Sequence, residues 1–86
     1  MPTISSFYGI IIQMYWREHN PPHFHVKYAE YRAEVNIRTL KLLGGSLPPR
    51  AKKMTLEWAR LHRAELLADW NLCQSELPPR QIAPLE

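Results

Sequence analysis

Cysteine is almost missing from this chain. Cys73 stands alone among 86 residues, so no disulfide can close within it. That excludes the stapled frameworks of small secreted domains. With no leader segment visible, a reducing bacterial-type cytoplasm is the simplest compartment. Long apolar runs are missing too. The longest aliphatic run, Ile10-Ile11-Ile12, falls far short of the roughly 20 residues a membrane span needs. Internal repeats and low-complexity blocks are absent as well. Hydrophobic residues make up 45%, an ordinary share for a folded domain, so disorder is expected only at the C-terminal tail.

What is present suits one small domain near the lower size limit for folding without staples. Three Trp and four Tyr supply bulk for a core, which a partner chain would help complete. Residues 1–77 read as a single α+β domain. Residues 78–86, with three prolines in nine positions, read as an extended tail, either docked through Ile82 and Leu85 or loose.

The expected architecture is a three- to four-stranded antiparallel sheet packed against one long C-terminal helix. Gly9 to Arg17 alternates as a strand, with Ile10, Ile12, Met14 and Trp16 on one face and Ile11, Gln13, Tyr15 and Arg17 on the other. Apolar residues on both faces make it a central strand. Asn20-Pro21-Pro22 breaks it, because proline supplies no ladder donor. Phe24, Val26 and Tyr28 then alternate with His23, His25 and Lys27. From Arg32 to Arg38, Ala33, Val35 and Ile37 point inward. The short connection Ala29-Glu30-Tyr31 makes these two segments a hairpin. A last strand spans about Leu40 to Leu43, and Gly44-Gly45 reads as a turn. A helix is expected from about Pro49 to Cys73. Its apolar stripe is Trp58, His62, Leu66, Trp70 and Cys73, widened by Ala51, Met54, Ala59 and Leu61.

Three histidines fall within seven residues, at His19, His23 and His25. On a strand, His23 and His25 share a side, roughly 7 Å apart at Cα. Two imidazoles so placed can converge on a divalent metal, with His19 folding back across the Pro-Pro turn. A two-residue hairpin loop would set His25 opposite Glu34, and a longer one would set it opposite Asn36. Glu34 would then orient an imidazole or ligate a metal itself. The same histidines also suit general acid–base work or phosphate contact. The plainer reading is a bend whose histidines bond to backbone or to Glu34. His62, on the apolar helix stripe, reads as a core histidine bonded to a neighbour. Cys73, on the same stripe, reads as packing, since no environment that lowers a thiol pKa is visible.

The net charge of +3 is uneven. Arg50, Lys52, Lys53, Arg60 and Arg63 face only Glu57 within residues 50–63, a local +4 that leaves −1 elsewhere. Cations in the first helical turn are mildly opposed by the macrodipole. A site that accepts this suits an anionic partner such as a phosphate backbone. Tyr15, Tyr28 and Tyr31 would add base stacking. The plainer alternative is a solvated face that keeps a small protein soluble.

Four segments together resemble the bacterial domain-of-unknown-function family 4160. They are Met-Pro-Thr-Ile-Ser-x-Phe-Tyr-Gly-Ile at the start, His19-x-Pro-Pro-His23-Phe-His25, Gly45-x-Leu-Pro, and Trp58-x-x-x-His62-x-x-Glu65-Leu66-x-x-x-Trp70. The resemblance implies a cytoplasmic accessory protein working with a second small protein encoded nearby, in a toxin–antitoxin-like pair. It carries no catalytic or ligand residues. Three functions follow as expectations. One is a module binding RNA, DNA or its partner through Arg50, Lys52, Lys53, Arg60 and Arg63. The second is a metal-independent ribonuclease with His23 and His25 as acid and base. The third is a metal-binding domain using His19, His23 and His25. No complete catalytic set is readable, no cofactor is demanded, no membrane is expected, and a homodimer stays open.

Overall fold

A computed structural model describes residues 2–86; Met1, the first residue of the opening motif, lies outside them. Five strands and two helices follow one another: β1 Thr3–Phe7, β2 Ile10–Gln13, β3 His23–Tyr28, β4 Tyr31–Asn36, β5 Leu42–Gly45, α1 Pro49–Leu61 and α2 Arg63–Gln74. The sheet is antiparallel and runs β1-β2-β3-β4-β5, so each strand pairs with its neighbours in sequence. The architecture is α+β, with one strand more than the sequence suggests and two helices in place of one.

The additional strand is β1. Its buried Ile4 and Phe7 are three positions apart, out of step with the two-residue period of a strand. A bulge between Thr3 and Ser5 produces that spacing. Tyr8 and Gly9 both adopt positive φ, 49° and 81°, and close a two-residue hairpin into β2.

The second strand is shorter than its letters suggest. Alternation continues through Trp16, but pairing with β3 stops at Gln13. Arg17 turns the chain in the left-handed region (φ 57°), and its N–H bonds to Cys73 O at 3.3 Å. Trp16 is therefore exposed, while Ile10, Ile12 and Met14 are buried. As expected, β2 lies inside the sheet, between β1 and β3.

Ala29-Glu30 alone joins β3 to β4, since Tyr31 already pairs with Tyr28. The shorter loop sets the register and puts His25 opposite Glu34. Val35 and Ala33 are buried from β4, as alternation requires. Gly44 and Gly45 form no turn. They lie in β5, opposite Glu34 and Ala33. A Cβ on Gly45 would sit 2.0 Å from Arg32 O, and its φ is +76°, so only glycine lets the edge strand approach this closely.

The two helices are divided by His62, at φ −118° and ψ 23°. Its N–H is shared between Trp58 O and Ala59 O, and Leu66 N–H resumes the ladder on His62 O. Apolar spacing is kept on both sides, with Trp58, Leu66, Trp70 and Cys73 all buried, so the interruption leaves no mark in the pattern. Leu61, beside the break, is exposed rather than part of the stripe.

Trp58 is the centre of the core. Its ring lies 5.4 Å from Phe7 and 5.9 Å from Phe24, and its Nε1–H donates to Ala83 O at 2.8 Å. That bond ties the C-terminal segment down. Ile82 N–H donates to Ile4 O at 2.8 Å, and the Ile82 side chain is buried. Residues 81–83 thus lie along β1 and cover part of an otherwise open sheet edge. No helix among the described residues is long and apolar enough to cross a membrane.

Candidate functional site

Two regions gather the candidate site residues. The first is a corner where the loop between β2 and β3 meets the start of β3 and the end of α2. Alternation along β3 sets His23 and His25 on one side, with ring centroids 5.3 Å apart. Residues 14–22 double back over them and are anchored repeatedly. Met14 N–H bonds to Pro2 O, Arg17 N–H to Cys73 O, and Ile37 N–H to Pro22 O. The Gln74 side chain donates to Glu18 O at 3.1 Å. The Glu18 carboxylate is thereby delivered to both imidazoles.

His25 Nε2 lies 2.6 Å from Glu18 Oε1. His23 Nε2 lies 3.4 Å from the same oxygen and 3.8 Å from Glu34 Oε1. His23 Nδ1–H donates to Pro21 O at 2.8 Å, which leaves Nε2 turned toward the carboxylates. Both rings are clamped. Tyr15 stacks on His25 at 4.1 Å, and Trp70 packs against His23 at 5.2 Å. His23 is buried, whereas His25 and Glu18 are half-buried. One ligand-type atom from each of Glu18, His23 and His25 lies within 4.8 Å of the others. His19 is exposed and is not in this group.

Sequence reasoning brought His23 and His25 together and set Glu34 nearby, but it passed over Glu18. The signal was faint, a single acidic residue beside His19 in a segment whose backbone path depends on tertiary anchors. Next to His25 lies a small cavity of about 130 Å³ whose lining includes Tyr15, Lys27, Arg32 and Glu34.

Two nearby groups are burdened by burial. Desolvation, then the Asp69 and Glu18 charges, push the Cys73 thiol up to about 11, so it packs as an inert side chain. Burial also raises the Asp69 pKa, opposed by the Arg80 N–H that donates to its Oδ1 at 2.8 Å. Its Oδ2 is buried with no partner. His62 is half-buried rather than a core residue, and its Nδ1 lies 2.6 Å from Glu65 Oε1.

The second region is the outer face of α1. Ala51, Thr55, Trp58 and Ala59 are buried, which turns the opposite side to solvent. Lys53 and Arg60, seven residues apart, project together on that side. Arg50 and Lys52 flank it, and Arg63 follows beyond the His62 break. All five are exposed. Among the described residues none of them is in an ion pair, although Glu57 stands on the same helix. The first turn of α1 holds no acidic residue and no side-chain cap. Tyr15, Tyr28 and Tyr31 belong to the sheet and its loop, not to the helix that carries the cations.

Neither a curated protein nor a solved structure matches the chain. A family model does, over residues 9–71, which take in β2 through most of α2, the histidine corner and all five helical cations. By that match the chain belongs to the family described as domain of unknown function, DUF4160.

Proposed function

We propose that the chain is a binding module of a two-protein, toxin–antitoxin-like bacterial system in the cytoplasm, and that the outer face of α1 contacts a nucleic-acid backbone. One observation carries this reading. Lys53 and Arg60 share one solvent-facing side of a helix, Arg63 extends it, and no carboxylate pairs with any of them among the described residues. Unpaired cations in a row are matched to phosphates spaced along a strand, whose binding releases counterions. The second small protein of the pair has its own surface, the groove lined by Pro2, Tyr15, Trp16 and Pro78.

The test is fluorescence anisotropy with labelled single-stranded RNA and DNA oligonucleotides at low salt. The wild-type chain binds, and the variant Lys53→Gln/Arg60→Gln/Arg63→Gln loses at least tenfold in affinity while staying folded. Equal binding by both proteins rejects the reading.

A second reading has one specific observation behind it. His25 Nε2 against Glu18, beside a cavity holding Lys27 and Arg32, is an arrangement for general acid–base attack on a phosphodiester. His23 and His25 would be its acid and base, without metal. RNA left intact after prolonged incubation with the wild-type protein removes this reading.

A further inference from the structure

The histidine corner concentrates electron-rich atoms in a way that calls for a cation. His23 is the clearest case. Its Nδ1–H is engaged with Pro21 O, so the lone pair of the neutral ring sits on Nε2. That lone pair has carboxylate oxygens on two sides, Glu18 Oε1 at 3.4 Å and Glu34 Oε1 at 3.8 Å. A lone pair and carboxylate oxygens repel one another unless positive charge lies between them, either a proton or a metal ion.

We propose that Glu18, His23 and His25 form a site for a first-row divalent transition metal of the zinc class, with Glu34 as an outer carboxylate or fourth ligand. The proposal rests on neither reading of function given above.

The donor set selects the metal class. Two imidazoles and one carboxylate favour zinc, cobalt or nickel over magnesium or calcium, which prefer all-oxygen shells. Tetrahedral ligands at about 2.0–2.1 Å from zinc are separated from each other by about 3.3 Å. The His23–Glu18 separation of 3.4 Å already meets that spacing. The His25–Glu18 contact of 2.6 Å is a hydrogen bond in which Nε2–H donates to the carboxylate. A metal ion takes the Nε2 position once that proton moves to Nδ1 of the same ring, and the contact then opens by about 0.7 Å.

Support around the ligands is of the kind metal sites use. Pro21 O fixes the His23 tautomer, as a carbonyl partner does for many ligating imidazoles. Tyr15 and Trp70 hold the two rings by stacking and packing. The Gln74 bond to Glu18 O and the Arg17 bond to Cys73 O fix the backbone that carries the carboxylate. Three protein ligands leave a coordination position on a four-coordinate ion. His25 and Glu34 also line a cavity with Tyr15 and Lys27, a route by which water or an anionic ligand could reach that position.

The experiment uses the full chain purified without a histidine tag and stripped with a chelator. Zinc is titrated by calorimetry, and cobalt is titrated by visible absorption. Saturable one-to-one binding is expected, together with the intense visible bands of tetrahedral cobalt. Glu18→Gln and His25→Ala should each weaken binding at least tenfold, and His19→Ala should leave it unchanged. Circular dichroism checks that the variants are folded, and Glu18→Gln preserves side-chain shape should His25→Ala perturb the loop. No saturable binding, or equal affinity in wild type, Glu18→Gln and His25→Ala, overturns the proposal. Loss of binding in His19→Ala alone overturns the ligand assignment.

Discussion

The histidine corner and the cationic face of α1 are built on opposite principles. In the corner, every functional group is held by the fold. His23 is hydrogen-bonded through Nδ1, packed on Trp70 and buried, and Glu18 is delivered by a loop bonded to α2. On α1, the cationic side chains hang in solvent, and among the described residues none of them is in an ion pair. The difference separates two kinds of consequence. Changing the corner should alter stability as well as any chemistry proposed there, whereas changing the helix face should alter the proposed binding and leave the fold nearly untouched.

The strongest attack on this contrast is Trp70→Ala, which removes the side chain linking His23 to the core. Large-to-small changes of this type cost about 3–5 kcal/mol. Urea denaturation should show a loss in that range, and affinity for a divalent metal should fall with it. His23→Ala follows. It removes a buried side chain together with its hydrogen bond to Pro21 O, for a loss of about 0.5–3 kcal/mol by the same measurement.

Asp69 provides a pH-dependent comparison. Burial raises its folded pKa above the usual 3.8, so its contribution to stability is fully present below the unfolded value and is lost as pH rises through the folded one. Asp69→Asn should therefore flatten the stability difference between mildly acidic and neutral pH, as read by thermal unfolding across that range. Smallest is Arg50→Gln, which removes a cation from a first turn that lacks any acidic residue. Stability should rise by about 0.3–1 kcal/mol at low salt, in line with relief of the macrodipole penalty. A large loss from Arg50→Gln would mean that the helix face is held by the fold after all.

Much of the fold was legible because period-two alternation is a strong signal where side chains alternate between core and solvent. Alternation puts Ala33, Val35 and Ile37 inward, and all three are buried. The register of the β3–β4 hairpin was legible as an alternative, with His25 opposite Glu34 for the short loop. What escaped were features that alternation does not encode. The bulge in β1 offsets Ile4 from Phe7, His62 interrupts a helix without disturbing its apolar spacing, and Gly44-Gly45 serve close approach rather than a turn. In the site, His23 and His25 were readable from their two-residue spacing. Glu18 was not, because its position depends on Cys73 and Gln74, more than fifty residues away. The cations of α1 were readable because a helix turns a seven-residue spacing into one face.

Contact between the outer face of α1 and phosphates is the core of the proposed function. Its most direct test is the salt dependence of binding to a single-stranded oligonucleotide, compared between the wild type and Lys53→Gln/Arg60→Gln/Arg63→Gln. Each phosphate contact contributes about 0.7 to the slope of log affinity against log salt on single strands. The slope should be shallower by roughly two in the variant, from three lost contacts. Identical slopes in the two proteins would contradict it.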